Sequence, residues 1–130
     1  MTATAPEITT LIVDDQQDIR MLLRVLIDAA NDGLKVVAEA ASGREAIAEV
    51  DRVEPVVVVF DEMMPEMSGV EAATQVRRSR PAQIMILCTA YLDDGVIDRA
   101  RAAGMNGWLA KQDVALLPDL IRSVVADARI

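Results

Sequence analysis

Hydrophobic and polar positions in this chain alternate between short solid apolar runs and helical stripes, five times over. Residues 9–13 form a β-rich run. Residues 16–30 then space Ile19, Leu22, Leu23, Leu26 and Ile27 along one helical face, with Arg20, Arg24 and Asp28 on the other. Asn31-Asp32-Gly33 stops that helix. Residues 34–40 read as a second strand. Ser42 and Glu45 have capping-box spacing for a helix that runs to residue 53. Residues 56–60, four valines and a phenylalanine, suit a third strand covered on both faces.

Pro65 and Gly69 then force a loop. Ser68 and Glu71 repeat the capping-box spacing for a helix ending at Ser79, and Pro81 prevents its continuation. Residues 84–89 give a fourth strand. Asp93 or Asp94 opens a helix that Gly104 closes. Residues 107–110 give a fifth strand, and the last helix is predicted over 114–128 with Leu117, Leu120, Ile121, Val124 and Val125 facing inward. Five β–α units in succession predict an α/β fold, a doubly wound parallel sheet with helices on both faces.

At 130 residues, 52% of them hydrophobic, the chain has the length and composition of one domain with a substantial core. Only three aromatics are present, so that core is aliphatic. Thirteen basic against 21 acidic residues leave a formal charge of −8, which argues against direct binding to nucleic acid or an anionic membrane. Cys88 stands alone, which excludes an internal disulfide and fits a reducing compartment; it reads as a small buried hydrophobe. Residues 1–7 lack the basic start and apolar core of a signal peptide, and no apolar stretch has the length of a membrane span. A cytoplasmic location is expected.

The candidate chemistry lies at the C-terminal ends of the strands, which all point the same way in a parallel sheet. The first strand ends in Asp14-Asp15, the third in Asp61, the fourth in Thr89 and the fifth in Lys111. Two β–α units separate Asp15 from Asp61, and one unit separates each later pair. Each residue has a plain alternative: the acidic pair as a helix cap, Thr89 as a strand residue, Lys111 as a surface lysine. Their convergence on one rim is the more specific signal. Carboxylates without His or Cys suit hard cations such as Mg²⁺ or Mn²⁺. Met63, Met64 and Met67 suit loop packing better than metal binding, because thioethers favour soft metals. A metal-bound carboxylate facing a hydroxyl and an ammonium is suited to accept a phosphoryl group as an aspartyl phosphate.

The acidic pair, Asp61…Met64-Pro65…Gly69, Thr89-Ala90 and Gly107-Trp108-Leu109-Ala110-Lys111 together resemble the receiver domain of bacterial two-component response regulators, over residues 8–128. The resemblance implies a flavodoxin-like sheet of order 2-1-3-4-5 with five helices. It implies a receiver domain over 8–130, with 1–7 as a flexible tail. Asp61 is then the phosphoacceptor. Asp15, Asp61 and the Met63 backbone carbonyl ligate Mg²⁺, with Asp14 acting through water, while Thr89 and Lys111 contact the phosphoryl group. Thr89 and Trp108 occupy the switch positions that remodel the face of the fourth helix, fifth strand and fifth helix. The implied partners are a sensor histidine kinase or histidine phosphotransfer protein, a downstream protein or output domain, and a second copy in a homodimer.

Gln112 stands where the family usually has proline, so a trans Lys111–Gln112 bond is expected. Regulators with helix-turn-helix outputs often lack that proline, which makes the receiver half of a longer regulator one expectation. Met63 and Tyr91, two residues past Asp61 and Thr89, are expected to hinder water and slow self-dephosphorylation. A haloacid-dehalogenase-type phosphotransferase is disfavoured because Met63 stands where its second aspartate belongs. The remaining alternative is a pseudo-receiver that binds proteins independently of phosphorylation. The chain has no histidine and no P-loop, so the phosphoryl group has to come from a partner or a small phosphodonor. No enzymatic activity is expected beyond its own phosphorylation and dephosphorylation.

Overall fold

In the computed structural model, residues 7–30 and 33–129 are described. The tail expected over 1–7 therefore falls, except for Glu7, outside the described residues, as do Asn31 and Asp32 of the first helix stop. The strands are β1 (Ile8–Val13), β2 (Leu34–Ala40), β3 (Val57–Phe60), β4 (Ile84–Thr89) and β5 (Gly107–Ala110). The helices are α1 (Gln17–Ala30), α2 (Gly43–Val53), α3 (Gly69–Ser79), α4 (Asp94–Ala102) and α5 (Leu117–Ala128). All four strand pairings are parallel, as the alternating pattern predicts, and the order β2-β1-β3-β4-β5 is the one the family resemblance implies.

Strand burial follows position in the sheet. Every residue of β3 and β4 is buried, because helices cover both faces of these central strands. One face carries Leu11, Val13, Val58, Phe60, Met85 and Leu87 against α2, α3 and α4. The other carries Ile12, Val36, Val57, Val59 and Ile86 against Leu23 and Ile27 of α1 and Leu117, Ile121 and Val125 of α5. Complete burial of side chains such as Phe60 and Leu87 contributes roughly 1.5–3 kcal/mol each. Cys88 lies inside β4, buried and free, and burial pushes its thiol up to about 11, so it behaves as a small apolar residue. No helix among the described residues is long and apolar enough to cross a membrane.

Three local expectations need correction. The last helix begins at Leu117 rather than residue 114. Lys111–Leu116 is a tight 3-10 stretch interrupted by non-helical Asp113, and Pro118 marks the first turn of the true helix. Leu22 is 44% exposed rather than inward, because the buried stripe of α1 is narrow and centred on Leu23 and Ile27. At α2 only half of the capping box forms: Ser42 accepts from the Glu45 amide without a return bond. The box at Ser68 and Glu71 is complete.

Candidate functional site

Two more rungs extend the sheet beyond its last strand residues, one joining β1 to β2 and one joining β3 to β1. The Asp14 amide donates to the Ala40 carbonyl at 3.1 Å and the Asp61 amide to the Val13 carbonyl at 2.9 Å. These bonds fix both aspartate backbones to the sheet and send their side chains over its rim. Asp14 and Asp61 are buried, 1% and 4% exposed, whereas Asp15 is exposed. One carboxylate oxygen from each of Asp14, Asp15 and Asp61 lies within 4.8 Å of the others.

Lys111 enters this cluster from the end of β5. Its Nζ lies 3.0 Å from Asp14 Oδ2 and 3.2 Å from Asp61 Oδ1. Both contacts are ion pairs without good hydrogen-bond geometry, so these two buried oxygens keep unused acceptor capacity. Asp14 Oδ1 accepts from the Gln16 amide at 2.8 Å, which turns the chain into α1. The peptide bonds of the described residues are all trans, Lys111–Gln112 among them. Lys111 thus reaches the acids without the family's proline.

Burial pushes the Asp61 carboxyl above its usual range, and the charge of Asp14 adds to the shift. Lys111 and a hydrogen bond from the Met63 backbone offset only part of it. For Lys111, burial would depress the ammonium, but the two aspartates outweigh burial and raise it.

Thr89 ends β4, fully buried, and its hydroxyl has no hydrogen-bond partner. Trp108, in β5, is half-buried against the core, with the Arg101 guanidinium 5.2 Å from its ring centroid. Met63 and Tyr91 project into solvent, 63% and 75% exposed. A cleft of about 310 Å³ opens between the loop after β4 and the end of β5, lined by Tyr91, Asp93, Ala110 and Gln112. Met67 packs in the loop, where Gln75 Nε2 points to its sulfur at 3.9 Å. Met64 and Met67 pack partly against the core, as expected of loop methionines, whereas Met63 does not.

Three supports escaped the sequence pattern. The Glu62 side chain accepts from the Val70 amide at 2.9 Å and its carbonyl accepts from Gly69 at 3.2 Å, tying the loop after Asp61 to the start of α3. An eight-residue reach has no periodic signature, so no motif marks it. Arg20 and Glu39 form the others. Their signal was present: arginines four apart on one helix, and a single acid near the end of an apolar strand.

Residues 10–122 match the family model for the response regulator receiver domain. The chain belongs to this family. It is thus a receiver domain of two-component signalling, a signalling module rather than a metabolic enzyme. It is 34% identical over 104 residues to the response regulator protein VraR of Staphylococcus aureus, a match covering 80% of this chain and 49% of that one. The chain therefore spans about half the length of the curated relatives it matches. A two-component response regulator of the LuxR family from Aurantimonas sp. SI85-9A1 superimposes with a TM-score of 0.89 at 30% identity, covering 93% of this chain and 86% of that one. The response regulator domain of Thermotoga maritima CheB gives 0.85 at 26% identity, covering 92% and 97%.

The donor atoms of this receiver site fit the Mg²⁺ that the family binds through acidic residues. They are hard carboxylate oxygens, two of them buried with acceptor capacity to spare, and no Cys or His joins the cluster among the described residues.

Proposed function

We propose that this receiver is a phosphorylatable switch in which Asp61 accepts a phosphoryl group from a phosphohistidine on a histidine kinase or histidine phosphotransfer protein. The observation that carries this reading is the buried Asp14–Lys111–Asp61 arrangement, with Nζ within 3.2 Å of both carboxylates. An ammonium so placed is poised to meet new negative charge on Asp61. The receiver unit is taken as residues 8–130.

An ionised Asp61 oxygen attacks phosphorus as the P–N bond breaks, and the bonding pair leaves with the imidazole. Raised basicity makes the Asp61 carboxylate a better nucleophile once deprotonated. Lys111 turns from the aspartates toward the phosphoryl oxygens. The unpartnered Thr89 hydroxyl donates to one of them, which gives that buried group its missing bond. Asp15, Asp61 and the Met63 carbonyl would hold Mg²⁺, with Asp14 acting through water; when bound, it neutralises charge on the phosphoryl oxygens. Movement of Thr89 then draws Trp108 inward, away from Arg101, and reshapes the α4–β5–α5 face for a downstream protein, an output domain or a second copy.

The test is intact mass after incubation with Mg²⁺ and a small acyl phosphate. Wild type should gain one phosphoryl group and Asp61→Asn none. A wild type that gains nothing would sink the proposal and favour a pseudo-receiver.

Neither Met63 nor Tyr91 supplies a carboxylate or amide to orient an attacking water, so the phosphoryl group should be long-lived. The double variant Met63→Asn, Tyr91→Glu is expected to shorten its lifetime about tenfold or more, less than the roughly 10²–10⁴-fold of a fully positioned acid–base group because both side chains are exposed. An unchanged lifetime would discard this account of the two positions.

A further inference from the structure

We infer that Arg20 is a positioning residue for cation binding, acting by clamping the peptide bond that joins Asp14 to Asp15. This inference rests on the proposed function. As β1 leaves the sheet, its last amide partner is Ala40, and the Asp14 carbonyl would otherwise have no ladder bond. Arg20 Nη1 donates to that carbonyl at 2.7 Å from one turn into α1. The same guanidinium donates through Nε to Glu39 Oε1 at 3.0 Å. Glu39 is the residue before Ala40, so the clamp spans the ends of β1 and β2.

Glu39 is held in turn. Arg24, four residues after Arg20, donates to Glu39 Oε2 through Nε at 3.0 Å and Nη2 at 2.8 Å. Burial alone would raise the Glu39 carboxyl, but the bonds and charges of Arg24 and Arg20 outweigh it and hold it below the usual range. Its side chain is 30% exposed and that of Arg20 only 16%. The geometry therefore keeps a cation close to three acids yet directs it at a carbonyl and at Glu39, away from the acids' own carboxylates.

Asp15 shows why this matters. Among the described residues no side-chain hydrogen bond holds its exposed carboxylate, so the backbone placement and its own rotamer set its direction. Rotating the Asp14–Asp15 peptide would swing that carboxylate away from Asp61. Arg20 prevents the rotation.

Two roles for Arg20 predict opposite signs. If it were only a nearby positive charge, its removal would strengthen Mg²⁺ binding by relieving repulsion. As a positioning residue, its removal weakens binding. Calorimetric Mg²⁺ titration of wild type, Arg20→Ala, Arg20→Lys and Arg24→Ala, with melting temperatures measured alongside, separates them. We expect about tenfold weaker Mg²⁺ binding for Arg20→Ala, in the range seen when a ligand's supporting partner is lost. Arg20→Lys should recover part of the affinity, and Arg24→Ala should stay within about twofold of wild type while losing comparable stability. Unchanged or tighter binding by Arg20→Ala overturns the inference. So does an equal loss in Arg24→Ala, which would mean general loosening. If wild type itself binds no Mg²⁺, the proposed function fails and the inference fails with it; a failure confined to the Arg20 variants leaves that function standing.

Discussion

Gly69→Ala is expected to lower stability by about 3 kcal/mol or more, roughly a 10 °C fall in melting temperature for a domain of this size, and to weaken Mg²⁺ binding in whatever remains folded. A Cβ at residue 69 would sit 2.2 Å from the Asp61 carbonyl oxygen and 2.9 Å from its carbonyl carbon. Both are backbone atoms of the proposed phosphoacceptor, whose amide is tied to Val13, so neither can move aside without dragging the site. The need for glycine here is one of space, because α3 starts hard against the end of β3. Gly43→Ala makes the contrast. There the new methyl meets Met67 Sδ at 2.7 Å and Cγ at 3.0 Å, on a side chain that can swing away, and only Ala72 Cβ at 3.2 Å among fixed atoms. Gly43→Ala should cost clearly less than Gly69→Ala. Parallel thermal melts check both; similar losses in the two variants would refute the backbone-contact argument.

Asp61→Asn should make the Mg²⁺-free chain more stable at neutral pH, on the order of 1 kcal/mol or about 4 °C. Burial and the charge of Asp14 raise the folded-state pKa of Asp61 above its ordinary 3.8, so the folded chain holds that proton more tightly than the unfolded chain. Stability from this group therefore falls as pH rises from the ordinary value through the raised one, and the penalty is complete above that window. Asparagine carries no such penalty. Its advantage should vanish near pH ~3, where both states of the wild type are protonated. Saturating Mg²⁺ should narrow or reverse the difference, since a cation that binds only the folded wild type stabilises it in proportion to its occupancy. Melts across pH, with and without Mg²⁺, test this. An asparagine variant no more stable than wild type at neutral pH would mean that Lys111 already compensates Asp61 in full.

The parallel sheet is legible because apolar runs and helical stripes alternate without interruption, whereas its strand order follows only from the family resemblance; a parallel sheet then brings distant strand ends to one rim. Asp14, Asp61 and Lys111 meet there for that reason alone. What stayed hidden depended on side-chain reach. Arg20 and Arg24 were placed on the solvent face of α1 by periodicity, yet both turn onto Glu39, and Arg20 is mostly covered. Leu22 was placed inward by the same periodicity and is exposed, because the stripe that touches the sheet is only two residues wide at full burial. The start of α5 was misread because apolar Val114 fits the helical spacing. Pro118 was the better marker, since proline suits a helix's first turn and not its interior.

The two extra rungs that anchor Asp14 and Asp61 have a consequence for motion. The floor of the site belongs to the most protected part of the molecule, so its amides should exchange with solvent only when the whole domain opens. The wall bearing Lys111 is different in kind. It follows a four-residue edge strand and continues into a 3-10 stretch with no buried residue and no side-chain cap. Under the proposed phosphorylation of Asp61, displacement should therefore run outward through the loosely held side, with the rigid side acting as the fixed support.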